Sequence, residues 1–341
     1  MKVAMYYSQR DIRIEEMQAP QIGEDEVLVK MKTCGICGSD LMDWYLKTRA
    51  PLVLGHEPAG TIVEKGADVQ GFEVGDRVFV HHHVACQECD HCMRGDYTLC
   101  SQFHETNIKP GGFAQYFKVP TPNLRLDTLK IPKTLSFEEA TLIEPVGCCL
   151  RALRKCNIQK NSNVAVIGAG TTGLIHIALA KIHGASMVFS SDLIDYRLDA
   201  ARRYGADVVV DVRKENLAEV IKSNTDGKGA DIVMVTAPSL KAYEDGLKAC
   251  RKGGTLCVFA PTGPSELLQI SPKELFFSEI HIIPSYSTSH LETKAALELI
   301  ELGKLDVKAL ITHRFKLEET AKAFETAHEC KESLKVVVFD E

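Results

Sequence analysis

Residues 164–173 read VAVIGAGTTG, and they are followed by LIHIALAKIHG (174–184) and then MVFSSD (187–192). A short β-branched run leads into the pattern G-x-G-x-x-G at Gly168, Gly170 and Gly173. A helical run follows, and the next strand ends on an acid, Asp192, 19 residues beyond Gly173. Glycine clusters alone are weak evidence, because ordinary turns collect them. Between a strand and a helix the pattern has a physical meaning. The first glycine makes a tight turn, the second lets backbone approach a pyrophosphate, and the third lets helix and strand pack closely. The free N–H groups at the helix start then meet the phosphates. Asp192 is placed to accept hydrogen bonds from an adenosine ribose and to repel a 2′-phosphate, which favours NAD over NADP. Arg197 is close enough to stack on adenine or to soften that preference.

This unit repeats outward. DVVVD (207–211), DIVMVTA (231–237), TLCVFA (255–260) and IHIIPS (280–285) are further β-branched runs, most of them separated by helix-compatible segments. Such alternation predicts a doubly wound parallel sheet over 151–287. In its first helix Leu174, Ile175, Ala178 and Ile182 fall on one face, with Gly184 as the stop. Before residue 150 the texture differs. EVLVKMK, GTIVEKG, GDRVFV and GGFAQYFKV are short strands between glycine-marked turns, as in a small, mostly β domain. The chain closes on two helical runs and KVVVFD.

The 341 residues suffice for about two domains. A charged fraction of 25% and a net charge of −6 give no basic footprint, so nucleic acid is not an expected partner. No apolar run approaches a membrane span, and the start lacks a signal-peptide pattern, so a cytoplasmic protein is expected.

Twelve cysteines are many for that compartment. Four stand at C-x2-C-x2-C-x7-C as Cys86, Cys89, Cys92 and Cys100. This spacing suits a closed tetrahedral zinc site with no place for substrate, hence a structural role. Disulfides, free thiols and a nucleic-acid zinc module are the competing readings. His81, His82, His83 and His91 are surplus to it and are expected to be strand or surface residues. A reactive metal needs mixed ligands from separated loops. KTCGICGSD offers Cys34 and Cys37, LGHEPAG offers His56 and Glu57, and LIEPVGCC offers Glu144.

In this order GICGSD, GHEPAG, VEKG…GDRV, the four-cysteine lobe, IEPVG, GAGTTG and KVVVF make the chain resemble the zinc-dependent medium-chain dehydrogenase/reductases. Within them it is most similar to the polyol (sorbitol-type) and L-threonine dehydrogenases. The resemblance implies a GroES-like catalytic domain from 1–150 plus 288–341, with a structural zinc lobe at about 84–104, and a Rossmann NAD-binding domain at 151–287. It implies two zinc ions per chain. The catalytic zinc falls to Cys37 rather than Cys34, to His56, and to Glu57 and Glu144 directly or through water. It also implies Ser39 as the hydroxyl relay and Asp40 as the residue orienting His56. Thr172, Asp192 and Arg197 match cofactor-touching positions, as do Phe259, Ala260, Pro261, Ser285 and Tyr286 beside the nicotinamide. Met42 departs from the histidine usual there, so the proton path must run through Ser39 to the cofactor ribose and water, or use Asp43 or another group. The reaction implied is oxidation of a secondary alcohol, polyol or sugar alcohol, to a ketone, by a homotetramer or homodimer. Threonine oxidation, a simple secondary alcohol and a non-enzymatic zinc-stabilised binding protein are the alternatives.

Overall fold

The computed structural model describes residues 1–340. The chain separates into two compact units, Met1–Gly147 with Thr288 onward, and Cys148–Ser287. The first break falls inside the helix Ile143–Lys155.

The second unit holds six parallel strands: β1 (Asn163–Ile167), β2 (Met187–Asp192), β3 (Val208–Asp211), β4 (Ala230–Val235), β5 (Cys250–Val258) and β6 (His281–Pro284). Their order, β3-β2-β1-β4-β5-β6, is that of a doubly wound dinucleotide-binding sheet. The strands are continuous apolar runs because central parallel strands are covered on both faces. Val164, Ala165, Val166, Val233, Met234 and Val235 are all buried. Each of these valine and methionine side chains contributes about 1.5–3 kcal/mol relative to exposure.

One expectation fails in the helix Thr171–Ile182. Ile182, placed on the buried face, is 41% exposed, while Gly173 through Ile177, Leu179 and Ala180 are all buried. The helix is apolar nearly all round, and such a helix is covered on most sides rather than along one stripe.

The other unit carries a seven-stranded sheet. Its path runs Ile311–Lys316, Lys335–Phe339, Val27–Gly35, Glu57–Lys65, Arg77–Val80, Thr128–Lys130, with Tyr116–Val119 also paired to Val27–Gly35. All pairs but the first are antiparallel. A smaller sheet joins Asp11–Glu16, Lys2–Ser8 and Leu52–Val53. Val29, Met31, Ile62, Phe117, Phe324, Val336 and Val338 belong to the core of this unit, so the chain's two ends share one interior. No helix among the described residues is long and apolar enough to cross a membrane.

Candidate functional site

Neighbouring strand ends assemble the site in the first unit. Gly35 ends its strand opposite Glu57 on one side and Val337 on the other. A Cβ on Gly35 would lie 2.0 Å from Glu57 Oε2 and 2.6 Å from Lys335 Cε. The glycine therefore leaves room for Glu57 and Lys335 to form an ion pair, both groups being buried. Lys335 Nζ also donates to the Ile36 carbonyl at 3.0 Å. Burial pushes the Glu57 carboxyl up, Lys335 pulls it back, and Glu144 adds to the rise. Burial lowers Lys335, but Glu57 and Cys37 more than reverse it.

The chain turns immediately after Gly35. Asp40, in the short 3-10 turn Gly38–Leu41, accepts from the Cys37 N–H through Oδ2 at 3.0 Å. Its Oδ1 lies 3.3 Å from His56 Nδ1. One buried carboxylate thus fixes the cysteine loop and orients the imidazole. Burial works against a charged His56, yet Asp40 and Cys37 hold its pKa well above the ordinary value. The ligand atoms of Cys37, His56 and Glu57 lie within 4.8 Å of one another.

This donor set fits zinc. It combines a thiolate, an imidazole whose other nitrogen faces a carboxylate, and a carboxylate oxygen (Glu57 Oε1) with no hydrogen-bond partner. Cys34 is different. Its sulfur packs against Gly55 and Gly112, and burial raises its thiol well above the usual range. Ser39 and Met42 are half-buried on the same turn as Asp40. Asp43 accepts from the Tyr6 hydroxyl at 3.1 Å.

Glu144 lies in the first turn of the helix Ile143–Lys155, buried. Its ligand oxygen is gathered with His81 and His82, within 4.8 Å, rather than with Cys37 and His56. Sequence reasoning expected those two histidines to be strand or surface residues, and the structure places both beside this carboxylate. His81 is fully buried, and the His82 ring stands 4.9 Å from that of His56. Their position right after the apolar strand RVFV was the available signal. Lys335, a cation heading the apolar run KVVVF, was missed as well.

The four lobe cysteines do come together. Their sulfurs are separated by 3.5 Å (Cys86–Cys100), 3.6 Å (Cys89–Cys92) and 3.9 Å (Cys86–Cys92). Four sulfurs about 2.3 Å from a tetrahedral zinc stand about 3.8 Å apart, whereas a disulfide needs about 2 Å. The Cys86 and Cys89 N–H groups donate to sulfur, and Phe103 packs beneath the cluster. Backbone donors lower the Cys86 thiol to about 7, while burial raises Cys92 to about 12. His91 is exposed.

In the second unit the glycine loop has the expected crowding. A Cβ on Gly173 would stand 1.9 Å from the Gly168 carbonyl oxygen, so only glycine fits. At Gly170 it would meet only the Arg197 guanidinium, at 3.7 Å, which leaves the backbone open to a ligand. Asp192 ends β2. It accepts from the Ala169 N–H at 2.7 Å, and from those of Leu193 (2.7 Å) and Ile194 (3.0 Å). This fixes the acid at the glycine turn, and the arrangement fits a dinucleotide. Thr172 is half-buried in the first turn of the following helix. Phe259 and Ala260 follow β5 half-buried, Pro261 is exposed, Ser285 is buried just past β6, and Tyr286 is half exposed.

Comparison with known proteins bears on both units. Residues 23–133 match the alcohol dehydrogenase GroES-like domain, and residues 171–301 match the zinc-binding dehydrogenase domain. The sorbitol dehydrogenase of Bacillus subtilis (strain 168) is 36% identical, over 99% of this chain and 97% of its own. The L-threonine 3-dehydrogenase of Pyrococcus horikoshii is 33% identical, over 91% of this chain and 90% of its own. Among solved structures, a Sinorhizobium meliloti 1021 protein classed as a zinc-binding dehydrogenase and bound to NADP superposes with a TM-score of 0.89. It is 27% identical and covers 99% of both chains.

Proposed function

The chain belongs to the zinc-dependent medium-chain dehydrogenases, and from that premise we propose that it oxidises a secondary alcohol of a polyol to a ketone, reversibly, with NAD. The observation that carries this reading is the set Cys37, His56 and Glu57, with Asp40 behind the imidazole. These residues would hold the catalytic zinc, with Glu144 facing Glu57, and the four lobe cysteines would hold a second, structural zinc. When bound, the catalytic zinc supplies a Lewis acid for the alcohol oxygen and the nicotinamide supplies a hydride acceptor.

The chain's own residues do the rest. Asp40 keeps the proton on His56 Nδ1, so Nε2 presents its lone pair. Lys335 offsets one of the buried negative charges at Glu57. Ser39 accepts the hydroxyl proton and passes it to solvent, since Met42 has no proton to relay and Asp43 is engaged by Tyr6. Gly168, Gly170 and Gly173 receive the pyrophosphate. Asp192 accepts from the ribose hydroxyls, Arg197 lies against adenine, and Thr172 contacts the phosphates. Phe259 to Pro261 with Ser285 and Tyr286 flank the nicotinamide. Two or four copies would associate: among the described residues the outer edge of β6 is unpaired, and Phe276 and Phe277 are about 70% exposed or more.

The polyol is favoured by the B. subtilis relative and by the carboxylate-rich site. Threonine is the second reading, carried by the Pyrococcus relative. Zinc-loaded protein screened with NAD against sorbitol, arabinitol, threonine and 2-propanol decides between them. The proposal expects the highest kcat/KM on a polyol. A preference for threonine or 2-propanol overturns the substrate assignment, and no turnover at all overturns the reaction.

A further inference from the structure

The parallel sheet of the second unit has two ends, and a dinucleotide uses only one. Nucleotides bind outside the carboxyl ends of such strands, where the loop 168–173 follows β1. A cavity of about 520 Å³ lies at the opposite, amino ends, lined wholly by residues of this unit. Ile232, Thr255 and His281 line it together because they are register partners across β4, β5 and β6. The loop 156–162, between the helix Ile143–Lys155 and β1, contributes as well.

Lys155, Lys160 and Arg251 line this cavity with a single carboxylate, Asp231. The excess is two positive charges, in a chain whose net charge is −6. Asp231 is already engaged: Oδ1 accepts from Arg251 Nε at 2.5 Å, and Oδ2 from the Asn163 N–H at 2.7 Å. Arg251 Nη1 donates to the Lys252 carbonyl at 2.6 Å. The guanidinium is thus held at two nitrogens, and Nη2 makes no hydrogen bond among the described residues. Lys155 and Lys160 likewise form no ion pair or hydrogen bond among them. A cation ending a helix, as Lys155 does, can serve the helix dipole alone. Here the chain closes that end itself. Asn157 turns with φ 52°, and the N–H groups of Cys156, Asn157 and Ile158 return to the carbonyls of Ala152, Arg154 and Leu153. Lys160 and Arg251 stand on no helix, so a dipole does not account for them.

We propose that this cavity binds a small phosphomonoester, at a site separate from that of the dinucleotide. A guanidinium preset by a carboxylate and a carbonyl offers planar donors to phosphate oxygens, and the ammonium groups add charge. The volume falls in the range of small-ligand pockets, about 300–1,000 Å³, so the phosphate carries an organic body. Ile232 and Ile283 offer that body an apolar surface.

Zinc-loaded protein saturated with NAD keeps the dinucleotide site filled during the test. Calorimetric titration with glucose 6-phosphate, AMP and inorganic phosphate separates a sugar ester, a nucleotide and the bare ion. One equivalent per chain of an ester is expected, tighter than inorganic phosphate and weakened by salt. Lys160→Gln should weaken it about 10-fold and Arg251→Gln about 10–100-fold, with NAD affinity unchanged in both. Arg251→Gln also releases Asp231, so circular dichroism checks its fold, and Lys160→Gln carries the test if that variant unfolds. No saturable binding of either ester overturns the proposal. So does inorganic phosphate binding as tightly as the esters, which leaves an adventitious ion only. Ester binding that no folded variant weakens places the ester elsewhere and overturns it too.

Discussion

Replacing Lys335 with methionine keeps the length of the buried stem and removes the charge that faces Glu57. Lys335 is 3% exposed and Glu57 0%, so water screens neither partner. Breaking such a pair from one side costs about 3–5 kcal/mol, because the remaining charge stays buried and uncompensated. Here Glu144 and the Cys37 region add further negative potential, so relief by relaxation is small. For a domain of this size each kcal/mol moves the midpoint by roughly 2–4 °C, which gives a fall of about 6–20 °C in the metal-free protein. Zinc supplies positive charge beside Glu57, so the deficit should shrink on loading. Thermal unfolding of wild type and Lys335→Met, each with and without zinc, measures both effects. Lys2→Met is the control: its pair with Glu318 is about half exposed at both ends, so solvent screens it and its loss should leave the midpoint nearly unchanged. A metal-free deficit below about 1 kcal/mol would show that Glu57 is not an ionised partner, and the charge account of the site would fall.

Three further outcomes are expected. His176 is buried with neither ring nitrogen partnered, and burial lowers its pKa to about 3. Between 6.5 and about 3 the unfolded chain takes a proton that the folded chain refuses, so stability falls as pH drops through that window. His176→Leu should remove this dependence, gaining about 2 kcal/mol more over wild type at pH 5 than at pH 8, as denaturant midpoints would report. Asp192→Asn should weaken NAD binding by about 10–100-fold and narrow the preference over NADP, read from KM for each cofactor. An unchanged NAD-to-NADP ratio would remove Asp192 from ribose recognition. Cys89→Ser should lose one zinc by elemental analysis and melt earlier, with NAD affinity retained.

Local chemistry explains which parts of this molecule could be read in advance. The strands of the dinucleotide-binding unit stood out because buried parallel strands are written as continuous β-branched runs. The doubly wound sheet followed from that texture, the GroES-like domain was implied only by the family resemblance of the ordered motifs, and the family matches agree with both. The four sulfurs were legible because their spacing is short and their geometry is set by one ion. Contacts between distant segments were not legible. Glu57 and Lys335 sit at opposite ends of the chain and meet only because their strands flank Gly35. His81 looked like one of several spare histidines because its partner Asp127 lies 46 residues away. The helix Thr171–Ile182 was given one buried stripe because periodicity shows which residues share a face, not how many faces are covered.

Cys37 and His56 are proposed to hold the metal on which alcohol oxidation depends. Zinc-loaded wild type, Cys37→Ser and His56→Ala should be compared for NAD reduction by the best polyol, with circular dichroism to confirm the fold. The account predicts turnover in the wild type, its loss in both variants with the fold intact, and full retention of the zinc in the four-cysteine lobe. Turnover that survives in either folded variant contradicts it.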